Sequence, residues 1–178
     1  APEYFVHDAI LNRQERTSLH DSMEKNLKPL SVDEVLALAS KGGQLLDVRD
    51  AIDFEGEHLK GAINISLSGK YATWAGSMLT HSEPIVVIAE EGGEEEAVMR
   101  LGRIGFDNVA GYLADGMRAL ESRPDLAERT ERITAPALAE WLAGERADAG
   151  AKPTVLDIRS EAEYAAGHIP GSLNIPLP

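Results

Sequence analysis

Two places in this chain hold side chains that could do chemistry. The first is Glu90-Glu91-Gly92-Gly93-Glu94-Glu95-Glu96, which follows the apolar run Pro84–Ala89. Five glutamates around a Gly-Gly pair read first as a solvated acidic cap at a helix N-terminus, where carboxylates complement the helix dipole. The alternative is a carboxylate metal site in which Gly92-Gly93 folds Glu91 and Glu95 together, although no histidine lies nearby. The second place is Asp47-Val48-Arg49, which returns as Asp157-Ile158-Arg159. Alternation along a strand puts the acid and the base on one side. They could form an acid/base pair, but an internal ion pair that fixes a strand-to-helix loop is the preferred reading. His58 and His168 recur about one domain apart, which is too far for a shared ligand sphere, and they are read as structural. His7, His20 and His81 are isolated, and Ser66 and Ser68 lack a nucleophile-elbow pattern. The chain has no cysteine, so thiolate chemistry is absent throughout.

The elements that must position these groups follow from periodicity. Residues 45–67, LLDVRDAIDFEGEHLKGAINISL, align without a gap to residues 155–177, VLDIRSEAEYAAGHIPGSLNIPL. This is a domain-sized repeat rather than a solenoid unit. Ser31 and Glu34 have capping-box spacing ahead of Val32, Val35, Leu36 and Ala39, which share one helical face. Gln44–Val48 predicts a buried strand and Ala62–Ile65 a short one. An amphipathic stretch then holds Trp74 and Met78. Pro84–Ala89 predicts the central strand, Glu94–Ile104 a helix, Asn108–Leu113 a strand and Gly116–Glu121 a closing helix. In the second copy, Thr134 is placed to cap a helix with Leu138, Trp141 and Leu142 on one side. A loop at Gly150–Pro153 and a strand at Thr154–Ile158 follow. Strands alternating with helices predict an α/β fold with a parallel sheet flanked by helices.

The repeated phrase resembles the rhodanese-like domain. Val155-Leu-Asp-Ile-Arg159, Gly167-His-Ile-Pro-Gly171 and Asn174-Ile-Pro176 carry the match, while Glu57 and Lys60 depart from the usual Gly and Pro. The resemblance implies that 28–122 is a complete rhodanese-like domain and 131–178 the first half of a second, with 123–130 as linker. It also implies structural roles for Asp47, Arg49, His58, Asp157, Arg159 and His168. Sulfur transfer in that family needs a cysteine directly after the central strand, with backbone N–H groups of the following loop around its sulfur. Here Ala89 or Glu90 stands at that position, so Ala89, Glu90, Glu91, Gly92, Gly93, Glu94 and Glu95 form a vestigial loop whose carboxylates repel an anionic donor.

A narrower resemblance joins Tyr71-Ala-Thr-Trp-Ala75, Val87-Ile-Ala-Glu-Glu91 and Arg103-Ile-Gly-Phe-Asp-Asn-Val-Ala-Gly-Tyr-Leu113 to fusions of a metallo-β-lactamase-fold domain, of the persulfide dioxygenase kind, with rhodanese domains. Residues 1–27, with Tyr4-Phe5 and Asn12-Arg13, resemble the exit segment of that upstream domain. The implied partner is that domain, with self-association through the partial second repeat. No cofactor or metal is expected in this chain. The expected function is a non-catalytic module that scaffolds, docks or regulates. The alternative is a fragment of an active metal-dependent hydrolase, persulfide dioxygenase or sulfurtransferase whose catalytic residues lie outside the chain.

Bulk properties agree. The 178 residues allow one or two small domains, and a formal net charge of −13 disfavours nucleic acid and anionic membranes. No apolar run approaches the ~18 residues of a membrane span. A soluble, cytoplasmic protein is expected, and the opening on Ala1 rather than Met suits a processed or excised product.

Overall fold

The computed structural model describes residues 26–145 and 152–177. The exit segment, with Tyr4, Phe5, His7, Asn12, Arg13 and His20, lies outside the described residues, as does Gly150. The chain divides between Glu131 and Arg132 into two compact units.

The first unit is a five-stranded parallel sheet with helices on both faces. In chain order it contains β1 (Pro29–Leu30), α1 (Val32–Ala39), β2 (Gln44–Asp47), α2 (Ala51–Gly56), β3 (His58–Leu59), β4 (Ile63–Asn64), α3 (Tyr71–Met78), β5 (Ile85–Ile88), α4 (Glu94–Arg103), β6 (Val109–Leu113), and β7 (Ala127–Glu128). The sheet order is β1-β6-β5-β2-β4, with β5 at the centre as its apolar, β-branched run predicts. All four side chains of Ile85–Ile88 are fully buried because both faces of β5 are covered. On one face Leu46, Val48, Ile65, Ile85 and Val87 pack with Tyr71 and Ala75 of α3 and with Ala97, Val98 and Leu101 of α4. On the other, Leu45, Val86 and Ile88 pack with Val35 of α1 and with Leu59, Leu113 and Leu120. Each of these large aliphatic side chains contributes roughly 1.5–3 kcal/mol by leaving water.

Local chemistry sets the element ends. The Ser31 hydroxyl caps α1 while the Glu34 carboxylate accepts from the Ser31 N–H at 2.8 Å, the reciprocal capping box. In α3 the core-facing positions are Tyr71, Ala75 and the following Leu79, whereas Met78 is exposed. Tyr71 is sealed by the Arg100 guanidinium, whose carbon sits 4.7 Å from the ring centroid. Burial pushes the Tyr71 phenol well above its ordinary pKa, against the pull of Arg100.

Three features differ from the sequence expectation. Ala51–Gly56 is a helix that the mixed pattern DAIDFEGE concealed, since no residue of it is buried. The closing element Gly116–Leu120 is a 3-10 helix rather than an α-helix. It starts from two left-handed residues, Asp115 and Gly116, where the chain crosses so near the end of β5 that a Cβ on Gly116 would meet the Ala89 oxygen at 2.8 Å. Finally, part of the expected linker is built into the first unit. Pro124–Leu126 forms a 3-10 turn, β7 pairs antiparallel with β3, and the Lys60 N–H donates to the Leu126 oxygen at 2.9 Å.

The second unit contains α5 (Ala135–Ala143), capped by Thr134 as expected, then β8 (Leu156–Asp157), α6 (Glu161–Ala166) and β9 (Leu173–Asn174). Its sheet repeats the first unit's register. Leu156 and Asp157 pair with Leu173 and Asn174 as Leu46 and Asp47 pair with Ile63 and Asn64. Among the described residues no helix is long and apolar enough to cross a membrane.

Candidate functional site

The C-terminal edge of a parallel sheet is where loops converge, and the strand-end motifs organise it. Asp47, fully buried at the end of β2, accepts from the Arg49 backbone N–H at 3.0 Å and takes the guanidinium through Nε at 3.0 and 3.1 Å and Nη2 at 2.7 Å. Arg49 Nη2 also donates to the Glu57 carbonyl at 2.7 Å, so the pair ties β2 to the end of α2. The link uses a backbone oxygen and Glu57 has an extended φ of −167°, so a side chain is accommodated where the family pattern has Gly. Lys60, the other departure, supplies the N–H that donates to the Leu126 carbonyl just before β7, which a proline could not do.

His58 is buried, donates from Nδ1 to the Phe54 carbonyl at 2.7 Å, and stacks on the Phe54 ring at 3.8 Å. In the second unit Arg159 grips Asp157, with Nη2–Oδ2 at 2.6 Å, and donates to the Gly167 carbonyl at 2.8 Å. His168 donates to the Tyr164 carbonyl at 2.9 Å and stacks on Tyr164. The Arg159 side-chain hydrogen bonds hold Asp157 below the usual carboxylate range. Two residues the sequence reading gave no role complete the lock. Asn64 Nδ2 donates to the carbonyls of Asp47 and Arg49, and Asn174 does the same to Asp157 and Arg159. Their recurrence in both copies was the available signal.

The acidic loop leaves β5 at Ala89, which is buried, and turns outward at Glu90, whose side chain is 74 % exposed. The Gly93 N–H closes the turn onto the Glu90 carbonyl at 2.9 Å, and α4 begins at Glu94. The chain supplies its own anion to this loop, because the Gly92 N–H donates to Glu94 Oε2 at 2.8 Å. Two guanidiniums flank it. Arg118 lies 3.6 Å from Glu91, and Arg49 Nη1 lies 4.0 Å from Glu90. Arg118 was not singled out from sequence, since it sits far along the chain in the 3-10 segment. Beside the loop lies a cavity of about 570 Å3, where Glu90, Glu91, Glu94 and Asp115 surround Tyr112, Met117 and the single guanidinium of Arg118. A smaller cavity of about 210 Å3 lies on the loop's other side against Arg49, Asp50, Ser66 and Ser68. Among the described residues no three His, Cys, Asp or Glu side chains are gathered as metal ligands. Ser66 and Ser68 bond to each other and Ser66 donates to Asp50, with no histidine in the arrangement.

The family model of the rhodanese-like domain matches residues 31–123 and again 138–178. The chain belongs to the rhodanese-like domain family. No curated protein matches it. Among solved structures, the Rhodanese_3-like domain of the Alr3790 protein from Anabaena sp is 26 % identical, with 52 % of this chain and 97 % of that one covered, at a TM-score of 0.46. Wild-type EanB is 18 % identical over 91 % of this chain, at a TM-score of 0.52. An EanB variant in complex with hercynine gives the same identity and coverage, at 0.53. This chain spans 42 % of EanB's length, and at such identity the likeness carries the fold alone. Within a rhodanese-like domain, the acidic loop is the segment between the central strand and the next helix.

Proposed function

We propose that this chain is a non-catalytic rhodanese-like module that scaffolds, docks or regulates within a larger sulfur-metabolism protein. That protein would resemble the fusions of a metallo-β-lactamase-fold domain, of the persulfide dioxygenase kind, with rhodanese domains. The observation that carries the reading is the end of β5, where Ala89 and Glu90 stand where family chemistry calls for a thiolate. The loop's electrostatics support it. Four carboxylates face one guanidinium around the cavity, and Glu94 already accepts from the Gly92 N–H that would otherwise be open to a sulfur anion. The module's metal chemistry, on this reading, belongs to an upstream domain, so an HxHxDH pattern should precede these residues in the reading frame.

The test is cyanide-dependent thiocyanate release from thiosulfate or a persulfide donor. The chain should give no release above a buffer blank, and release proportional to protein would overturn the reading. The single variants Ala89→Cys and Glu90→Cys should be equally inactive. A thiol alone leaves Glu91 and Glu94 in place to repel the donor and occupy the loop.

A further inference from the structure

The strand-end motif accounts for only part of Arg49. Its side chain is 5 % exposed, with Nε and Nη2 occupied by the Asp47 carboxylate and the Glu57 carbonyl. Among the described residues Nη1 makes no hydrogen bond. What faces it is Glu90 Oε1, 4.0 Å away on a side chain that is 74 % exposed. A guanidinium nitrogen buried this deeply ordinarily has a partner for its two N–H groups. Arg49 and Glu90 line the same cavity of about 210 Å3, so Nη1 is turned toward that space. The other polar groups of the cavity are acceptors. Ser66 donates its only hydrogen to Asp50 Oδ1 at 2.9 Å, so Ser68 donates to Ser66 at 2.8 Å and neither hydroxyl has a hydrogen left. The Asp53 carboxylate has no ion pair or hydrogen bond among the described residues. Because Asp47 already matches the Arg49 charge, Asp50, Asp53 and Glu90 leave the cavity with excess negative charge. These three do not gather as metal ligands.

We propose that this cavity binds the free amino terminus of a polypeptide. Its α-ammonium sits by Asp50 and Asp53, and its first carbonyl oxygen accepts from Arg49 Nη1 in place of the loose Glu90 contact. A small first side chain lies against Val48, Leu67 and Ala89. Ammonium and carbonyl are separated by a single carbon, so a space of about seven water volumes holds both. A free amino acid fits less well, because its carboxylate would meet Glu90 beside a guanidinium already neutralised by Asp47. The inference gives the docking reading a partner chemistry and rests on that reading for its role. The binding is measured without sulfur transfer, so its failure would leave the thiocyanate result untouched.

The probe is the tripeptide Ala-Gly-Gly-amide, added to the full chain and followed through the backbone amide resonances of Ser66, Leu67, Ser68 and Glu90. Binding should be saturable and one to one, with a Kd of about 1 mM or tighter. Acetyl-Ala-Gly-Gly-amide, which lacks the ammonium, and propylammonium, which lacks the carbonyl, should each bind at least about tenfold more weakly. Asp53→Asn should weaken tripeptide binding about threefold or more, while Glu83→Gln, at the other end of β5, should leave it unchanged. No saturation at about twentyfold higher concentration would overturn the proposal, as would equal binding of either truncated probe. Equal effects of Asp53→Asn and Glu83→Gln would overturn it too, because the attraction would then belong to the net charge of −13 and not to the cavity.

Discussion

Asp47 and Asp157 occupy the same point of the same motif, yet their loss of charge should be felt very differently. Arg49 is 5 % exposed, so Asp47→Asn leaves a guanidinium buried without its counter-charge, at a cost of about 3–5 kcal/mol. Arg159 is 46 % exposed and water can replace its partner, so Asp157→Asn should leave stability unchanged within error. Urea unfolding followed through Trp74 for the first substitution and Trp141 for the second, each with the other tryptophan changed to Phe, separates the two outcomes. Equal losses would show that exposure does not govern the pair. This ion pair was legible in the sequence because alternation alone puts residues 47 and 49 on one side. The contacts of Glu90 with Arg49 and Glu91 with Arg118 were not legible, since they join segments that only the folded sheet edge brings together. The same holds for the Glu94 carboxylate, whose acceptance of the Gly92 N–H depends on the turn closed by Gly93.

Elements with strong local signals were the ones the sequence specified best. Strand β5 is a continuous aliphatic run, and α1 carries a complete capping box, so both are found where pattern and spacing put them. Helix α2 was hidden because no residue in it is buried, and the β7 clasp because two residues carry no periodicity. The capping box makes a pH-dependent prediction. Hydrogen bonding, first from the Ser31 backbone N–H, lowers the Glu34 pKa below its ordinary value. A carboxylate depressed in the folded state adds stability above its unfolded pKa of about 4.3, and that stability is lost as pH falls through the lower folded value. Ser31→Ala should cost about 1 kcal/mol near neutral pH. Glu34→Gln should be destabilising at pH 7 and nearly silent at pH 3, as read by chemical denaturation at the two pH values. A penalty that grows on acidification would contradict the assigned bond.

At the scale of the whole molecule, the described residues contain a covered sheet and a shorter copy of the same motif whose apolar face is exposed. Hydrogen exchange should therefore divide along the sequence. Amides of Ile85–Ile88, between two covered strands and under helices on both faces, should exchange only through opening of the first unit. Those of Leu156–Asp157, in a two-stranded sheet with an exposed apolar face, should exchange orders of magnitude faster. Comparable protection in both segments would show that the second unit is as well covered as the first. The repeat made the two copies legible in advance, and the loss of cover follows from the absence of a β5 counterpart among the described residues. The exposures of individual side chains had to be seen.

The sealed phenol of Tyr71 gives the first unit an optical alarm. Tyr112 and Tyr164 are only partly buried, while Tyr71 is closed in by Ala97, Arg100 and the sheet. In an alkaline ultraviolet titration, phenolate from Tyr71 should therefore appear only when its unit opens. Because the unfolded chain gives up that proton first, stability must decline with rising pH beyond about 10. The appearance of that phenolate would thus be abrupt and cooperative, coinciding with loss of circular dichroism. A Tyr71→Phe variant should lose one phenol's share of the absorbance that accompanies unfolding.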